Sequence, residues 1–259
     1  MDWVYTLPTW LFALMVTSLI VLASIAVQIV FRRFVSGNLL AQHSELAGYI
    51  AAMVGVIFAV LLSFVVVLVW QQYDAAGTNA NHEAGAVADL LHITYELPEP
   101  LRNDAQRDLL QYARLMLSDE WPQMNAGHFS VKAEELAHHI FFEISDFIPR
   151  TSRAANLQAS ALTRLNVFFD ARRERLHDNI WSLPGILWTS LIAGAALTIG
   201  FTFFFSAADF RVHLVMTAGL AILIAVLFVL IIELDFPFRG GNAIAPTMWS
   251  DVLQRYHGD

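Results

Sequence analysis

Four long apolar runs divide the chain two and two around the polar stretch 74–183. Trp10 to Phe31 and Leu46 to Trp70 form the first pair, and Ile186 to Phe205 and His213 to Ile232 the second. Each reaches the roughly 20 apolar residues a helix needs to cross the hydrocarbon core. The pattern predicts an all-α integral membrane protein: four transmembrane helices, with a helical extramembrane domain inserted between the second and third. Residues 1–73 read as a first transmembrane hairpin with spans at about 10–31 and 46–70, and 74–183 as the helical domain. Residues 184–240 read as a second hairpin with spans at about 186–205 and 213–232, and 241–259 as a C-terminal tail.

The span ends carry their own signals. Arg32-Arg33 closes the first run. Trp70-Gln71-Gln72-Tyr73-Asp74 closes the second with an aromatic pair suited to the membrane interface. Pro184-Gly185 opens the third, where proline is pre-organised for a helix start. Glu233, Asp235, Pro237 and Arg239 close the fourth. The first run lacks a basic leading segment and a small-residue cleavage site, so it reads as a retained span.

Small residues recur on one face of three spans. Gly48, Ala52, Gly55, Ala59 and Ser63 do so in span two, Ser190, Gly194, Thr198 and Thr202 in span three, and Thr217, Ala221 and Ala225 in span four. Such faces let helix backbones approach closely, and packing drives helix association in lipid. Helix packing within or between subunits is the simpler reading of Gly48, Ala52, Gly55, Ala59, Ser63, Gly194 and Thr198; a pore lined by span two is the sharper one. No charged residue sits in the middle of a span, which argues against proton relays and ion-coupled carriers. Arg32, Arg33 and Arg211 fall in the two short hairpin loops. By the positive-inside rule those loops are cytoplasmic and the helical domain extracytoplasmic, in a bacterial inner membrane.

Helical periodicity runs through residues 74–183. Ala84, Val87, Leu91 and Thr94 share one face of a helix over Asn81 to Leu97. Asn103 or Asp104 is placed to cap a helix to about Ser118 that Trp121-Pro122 ends. Val131 to Phe147 carries Ala133, Leu136, Ile140 and Ile144 at helical spacing. Ser152 is placed to cap a long helix to about Trp181. Span two is expected to continue outwards as the domain's first helix, and the last helix to lead into span three.

Composition narrows the chemistry. The chain is 57% hydrophobic and 15% charged, with no cysteine, so disulfides and thiolate chemistry are excluded. Lys132 is the only lysine among 15 basic residues, and the net charge is −8, which makes nucleic acid an unsuitable partner. Glu135, His139 and Glu143 share a helix face beside His138 and Glu134. Without a recognised ligand motif they read as a solvated polar face, so neither metal nor cofactor is expected. Asp74, His82, Glu83 and Asp89 read as scattered surface groups. In Asp170-Ala171-Arg172-Arg173-Glu174-Arg175, Asp170 is spaced to pair with Arg173 on a salt-laced surface. The sharper reading makes Asp74, Asp170, Arg172, Arg173 and Arg175 vestibule or subunit-contact groups that tune permeation. Phe236, Phe238 and Arg239 read as an anchor where the chain leaves the membrane. No catalytic triad spacing, phosphate loop or nucleotide fingerprint appears, so no enzyme is expected.

Several segments taken together carry a family resemblance. They are Ala59 to Val67 leading to Trp70-Gln71-Gln72-Tyr73-Asp74, Glu83-Ala84 to Ala88-Asp89-Leu90, Leu97-Pro98-Glu99-Pro100-Leu101-Arg102 and Asp119-Glu120-Trp121-Pro122. Leu165-Asn166 with Asp170 to Leu176, Leu183-Pro184, Gly200 to Phe203 and Asp235 to Gly240 complete them. Their order and spacing resemble the bacterial bestrophin-like domain family. The resemblance implies kinship with bestrophins, pentameric anion channels with four spans and a pore lined by span two. Calcium-gated bestrophins hold the ion with an acidic cluster after span four, where this chain offers only Asp251 and Asp259. The resemblance implies a homo-oligomeric ion channel for inorganic anions in the lipid bilayer, with Phe58, Leu62 and Val65 as candidates for an apolar pore neck. The competing reading is a non-conducting membrane-anchored sensor or scaffold whose helical domain binds a partner.

Overall fold

The structure is a computed structural model that describes residues 8–35, 37–205 and 209–256, as backbone alone over 37–43. Nine α-helices follow one another among the described residues, with no strand. They are α1 (Thr9–Phe34), α2 (Gly37–Thr94), α3 (Leu101–Leu115), α4 (Trp121–Asn125), α5 (Val131–Ser145), α6 (Ser152–Ile180), α7 (Gly185–Thr202), α8 (Phe210–Asp235) and α9 (Thr247–Tyr256). A π-helical turn, Met116–Glu120, joins α3 to α4. The chain divides into two compact units. A span unit comprises Trp3–Gln71 and Ser182–Asp235, and a polar unit gathers Gln72–Trp181 with Phe236–Asp259.

The span unit contains α1, α7, α8 and the first part of α2. Among the described residues, four helices are long and apolar enough to cross a membrane. α2 runs unbroken for 58 residues, more than twice the length a crossing requires. α6 does not run into α7: Trp181 turns extended at ψ 141° and Pro184 precedes α7 at ψ 136°, so four residues interrupt the helical path. The expected continuity is therefore present at span two and broken at span three. The physical reason is Pro184, which lacks the N–H a through-running helix needs.

Packing within the span unit uses the small residues of α7 and α8. Thr217, Ala221 and Ala225 of α8 are almost fully buried. Gly194 of α7 receives the Phe58 ring so closely that a Cβ there would lie 2.4 Å from Phe58 Cδ2. Thr198 donates its hydroxyl to Gly194 O at 2.8 Å, and Thr189 and Ser190 donate theirs to Gly185 O and Ile186 O at 2.9 Å. Each hydroxyl is thus satisfied inside its own helix, as an apolar surrounding demands. Where α1 ends, Phe31 meets Phe203 and Phe204 at ring separations of 6.0 and 5.0 Å. Beside them Arg32 Nη2 lies 3.4 Å from His213 Nδ1, and His213 Nε2 bonds Thr202 O at 2.8 Å.

The polar unit is a helical bundle around the stripe that α2 presents with Ala76, Ala80, Ala84, Val87 and Leu91. Leu109 and Tyr112 of α3, Ile140 and Ile144 of α5, Leu165 and Phe168 of α6, and Trp249 and Val252 of α9 close over it. The side chains expected at the helix starts are replaced by their neighbours. Thr151, not Ser152, caps α6 by accepting from Ala154 N at 3.1 Å. Pro100 precedes α3 without a side-chain cap, and Asn103 and Asp104 lie inside the helix. Ser130 caps α5, accepting from Ala133 N at 3.1 Å. Gln158 of α6 covers the end of α5, donating to Ile144 O at 2.9 Å and Phe147 O at 2.7 Å.

The closeness of Phe58 to Gly194 sets an expected outcome. Gly194→Ala should overpack the α2–α7 contact and cost about 1–3 kcal/mol, read as a lower thermal midpoint of the purified protein. Phe58→Leu in the same background should return much of the loss. An unchanged midpoint in the single variant would show that the contact is loose.

Candidate functional site

α2 offers two different faces within the span unit. Phe58, Leu62, Val65 and Val69 recur at steps of four, three and four, so they form one ridge. They are 5%, 6%, 2% and 0% exposed within the single chain. The neck candidates Phe58, Leu62 and Val65 therefore lie on the covered side of α2. The uncovered side carries Met53, Val56, Ile57, Val60, Phe64 and Val67. The small residues behave unequally. Gly48 faces Phe205, where a Cβ would come to 3.9 Å. Ala52, Ala59 and Ser63 are exposed, and a Cβ on Gly55 would meet nothing within 4 Å. Beyond Gly48 the stripe of α2 is thus left open by its own chain, whereas Gly194 of α7 is used internally.

In the polar unit the second part of α2 supplies Glu83 to a buried ion-pair network. Leu165, Phe168, Arg172 and Arg175 follow steps of three, four and three along α6, so the two arginines continue its inward stripe. Arg175 binds Glu83 through Nε, and its Nη2 donates to Glu120 Oε1 at 3.0 Å. Arg172 Nη1 donates to the Tyr112 hydroxyl at 2.7 Å and to Glu120 Oε1 at 3.3 Å. Tyr112 in turn donates to Glu83 Oε1 at 2.5 Å. Ser130 N reaches Glu120 Oε2 at 2.8 Å. Arg175 also lies over the Trp121 ring, 5.3 Å from its centroid.

Two cations face two carboxylates here, so the formal charge cancels. Burial raises the Tyr112 hydroxyl well above the usual tyrosine value, and the charge of Glu83 pushes it further, which keeps it a neutral donor. For both arginines burial opposes the charge, but the anionic partners more than offset it and raise both. The π turn belongs to this arrangement. Its wider backbone carries Met116 and Glu120 into the core, both wholly buried.

These positions correct two expectations. Arg172 and Arg175, expected as vestibule or subunit-contact groups, are 3% and 0% exposed within the single chain and face Glu83, Glu120 and Tyr112. Glu83 is not a surface residue but the centre of the network, at 0% exposure. The signal was available in the continuing stripe of α6, but charge masked it. Asp170 and Arg173 do lie at the surface and pair with each other, and Asp74 is exposed.

The Phe236, Phe238 and Arg239 segment, expected as a membrane-exit anchor, makes contacts within the polar unit. Phe238 is 1% exposed and meets the Trp121 ring edge-on at 5.8 Å. Arg239 stacks over Phe236 at 4.3 Å and donates to Asn179 O at 3.3 Å. Its guanidinium comes within 2.8 Å of where a Cβ on Gly127 would stand, and Gly127 adopts a φ of +79°. The positive φ is what calls for glycine there. The segment packs against Trp121 and Asn179 of the polar unit. Beyond it α9 buries Trp249 and donates the Tyr256 hydroxyl to Ala88 O at 3.2 Å, so 247–256 is a packed helix. Asp251 is exposed, and Asp259 lies outside the described residues.

Of Glu135, His139 and Glu143, the last two are brought together with Asp108 of α3, while Glu135 stays exposed.

A Bestrophin-like domain model matches residues 18–248. The chain belongs to that Bestrophin-like family. Among solved structures, two crystal structures of a bacterial bestrophin homologue from Klebsiella pneumoniae, each with one residue changed to threonine, share the fold. The first has a TM-score of 0.70 and 13% identity over 94% of this chain and 99% of that one. The second has a TM-score of 0.68 and 13% identity over 93% and 98%. A membrane protein with one proline changed to alanine follows at 0.65 and 12% identity, over 90% and 96%. No curated protein matches the sequence. The bestrophin-like fold and the four long apolar helices make this a multi-pass membrane protein.

The ion-pair network makes a stability prediction. Glu83→Gln should leave Arg175 short of a buried counter-charge and cost about 3–5 kcal/mol. Thermal unfolding and limited proteolysis of the purified protein would read the loss. Replacing Glu83, Glu120, Arg172 and Arg175 together with apolar residues of similar volume should cost less than this single change.

Proposed function

We propose that this protein is a homo-oligomeric ion channel with α2 lining the pore. The observation that carries the reading is the side of α2 left open by its own chain. That side is apolar or small, and no ionised side chain lies between Leu46 and Trp70. Membership of a bestrophin-like family supports it. Met53, Val56, Val60 and Val67 are then the side chains nearest the pathway, while Phe58, Leu62 and Val65 brace α2 from behind. A narrow apolar neck of this kind gates by steric closure or dewetting. Five subunits and inorganic anions are the stoichiometry and cargo that bestrophin kinship suggests.

The unit of Gln72–Trp181 and Phe236–Asp259 is the extramembrane domain in this reading. Its sidedness follows from Arg32, Arg33 and Arg211. The Arg32–His213 contact gathers the end of α1 and the start of α8, and with them these basic residues, at one end of the span unit. By the positive-inside rule that end is cytoplasmic. The membrane is a bacterial inner membrane, and the polar unit faces away from the cytoplasm.

Reconstitution in planar bilayers tests conduction: discrete currents are expected, with reversal potentials following the anion gradient. An intact oligomer silent across voltage and pH would sink the channel reading in favour of a non-conducting anchored module. Because the chain has no cysteine, single replacements report directly. Modification of Val60→Cys by a charged thiol reagent should block current and modification of Leu62→Cys should not; the reverse would put the covered ridge in the pore. In intact cells, Glu135→Cys should react with an impermeant maleimide. Protection of that site would place the polar unit in the cytoplasm.

A further inference from the structure

We propose that Asp108, His139 and Glu143 form a binding site for a divalent metal ion of the zinc class. Asp108 comes from α3, and His139 and Glu143 stand one turn apart on α5, so packing of the two helices assembles the group. One ligand atom from each residue can be chosen such that all lie within 4.8 Å of one another. His139 Nδ1 and Asp108 Oδ2 are 3.0 Å apart. Two ligands held at about 2.0–2.2 Å in a tetrahedral shell stand roughly 3.3–3.6 Å apart. Glu143 offers the third ligand atom from within 4.8 Å of the other two.

Three further observations point to a cation here. Glu143 Oε2 is enclosed and has no hydrogen-bond partner, a costly state for a carboxylate oxygen. Asp108 is 7% exposed, and its Oδ1 is held by Arg107 Nε at 3.0 Å, which leaves Oδ2 turned to the group. Outer contacts of this sort orient a ligand. The local charge is also unbalanced: Asp104, Asp108 and Glu143 outnumber Arg107 and His139.

The donor set selects the ion class. One imidazole nitrogen with two carboxylate oxygens suits zinc and neighbouring transition metals, whereas calcium and magnesium favour shells of oxygen alone. The His139 side chain is 63% exposed, so the group opens to solvent and leaves a position for water. The site lies wholly in the polar unit, and the inference is independent of the conduction reading.

The test titrates ZnCl2 into full-length, tag-free, chelator-treated protein by calorimetry, with metal analysis after desalting. About one zinc per chain is expected. His139→Ala and Glu143→Gln should each weaken binding about tenfold or more, while His138→Ala should leave it unchanged. Zinc should raise the thermal midpoint of the unaltered protein and not that of the His139→Ala variant. Absence of saturable binding would overturn the proposal. So would binding that survives both ligand changes, equal loss in His138→Ala, or displacement of zinc by equimolar calcium.

Discussion

The polar unit depends on one arrangement: two arginines and two glutamates removed from water together. Each charge alone would carry a desolvation penalty of several kcal/mol. Mutual pairing, with further hydrogen bonds from Tyr112 and the Ser130 amide, makes their burial tolerable. The partners come from separate places: Glu83 from α2, Tyr112 from α3, Glu120 from the π turn and both arginines from α6. The network therefore fixes the register of those segments against one another. A slip of one residue on α6 would leave a buried charge unpaired, a larger penalty than apolar contacts of similar area would impose.

The span unit obeys the opposite economy. Lipid supplies no hydrogen bonds, so its hydroxyls turn back on their own helices and its helices meet through shape. Gly194 is a recess for the Phe58 ring, and the α8 stripe of Thr217, Ala221 and Ala225 is spent inside the chain. Beyond Gly48, the small-residue stripe of α2 is left largely uncovered within one chain. That difference carries the functional reading, because a charge-free apolar surface is left for lipid, another subunit or a pathway.

α2 belongs to both regimes. Its ridge of Phe58, Leu62, Val65 and Val69 packs by shape, and further along the same helix Glu83 packs by charge. The same helix thus carries a candidate pore face in its first part and a buried ionic anchor in its second.

Much of this was legible from residue order. The four apolar runs, the α2 extension and the core stripe Ala84, Val87, Leu91 and Thr94 follow from periodicity, because hydrophobic spacing reports the face a helix buries. The i,i+3 pairing of Asp170 with Arg173 follows from helix geometry alone. What the tertiary structure decided were the choices among equivalent faces and partners. Sequence distinguishes neither a small stripe that packs inside the chain from one left open, nor a surface arginine from one buried against a carboxylate 92 positions away. It placed Glu135 beside His139 and Glu143, but the group is completed by Asp108, brought in by another helix. Periodicity encodes what one helix does with water or lipid; which polar groups meet is set by long-range contacts, where no local spacing rule reaches.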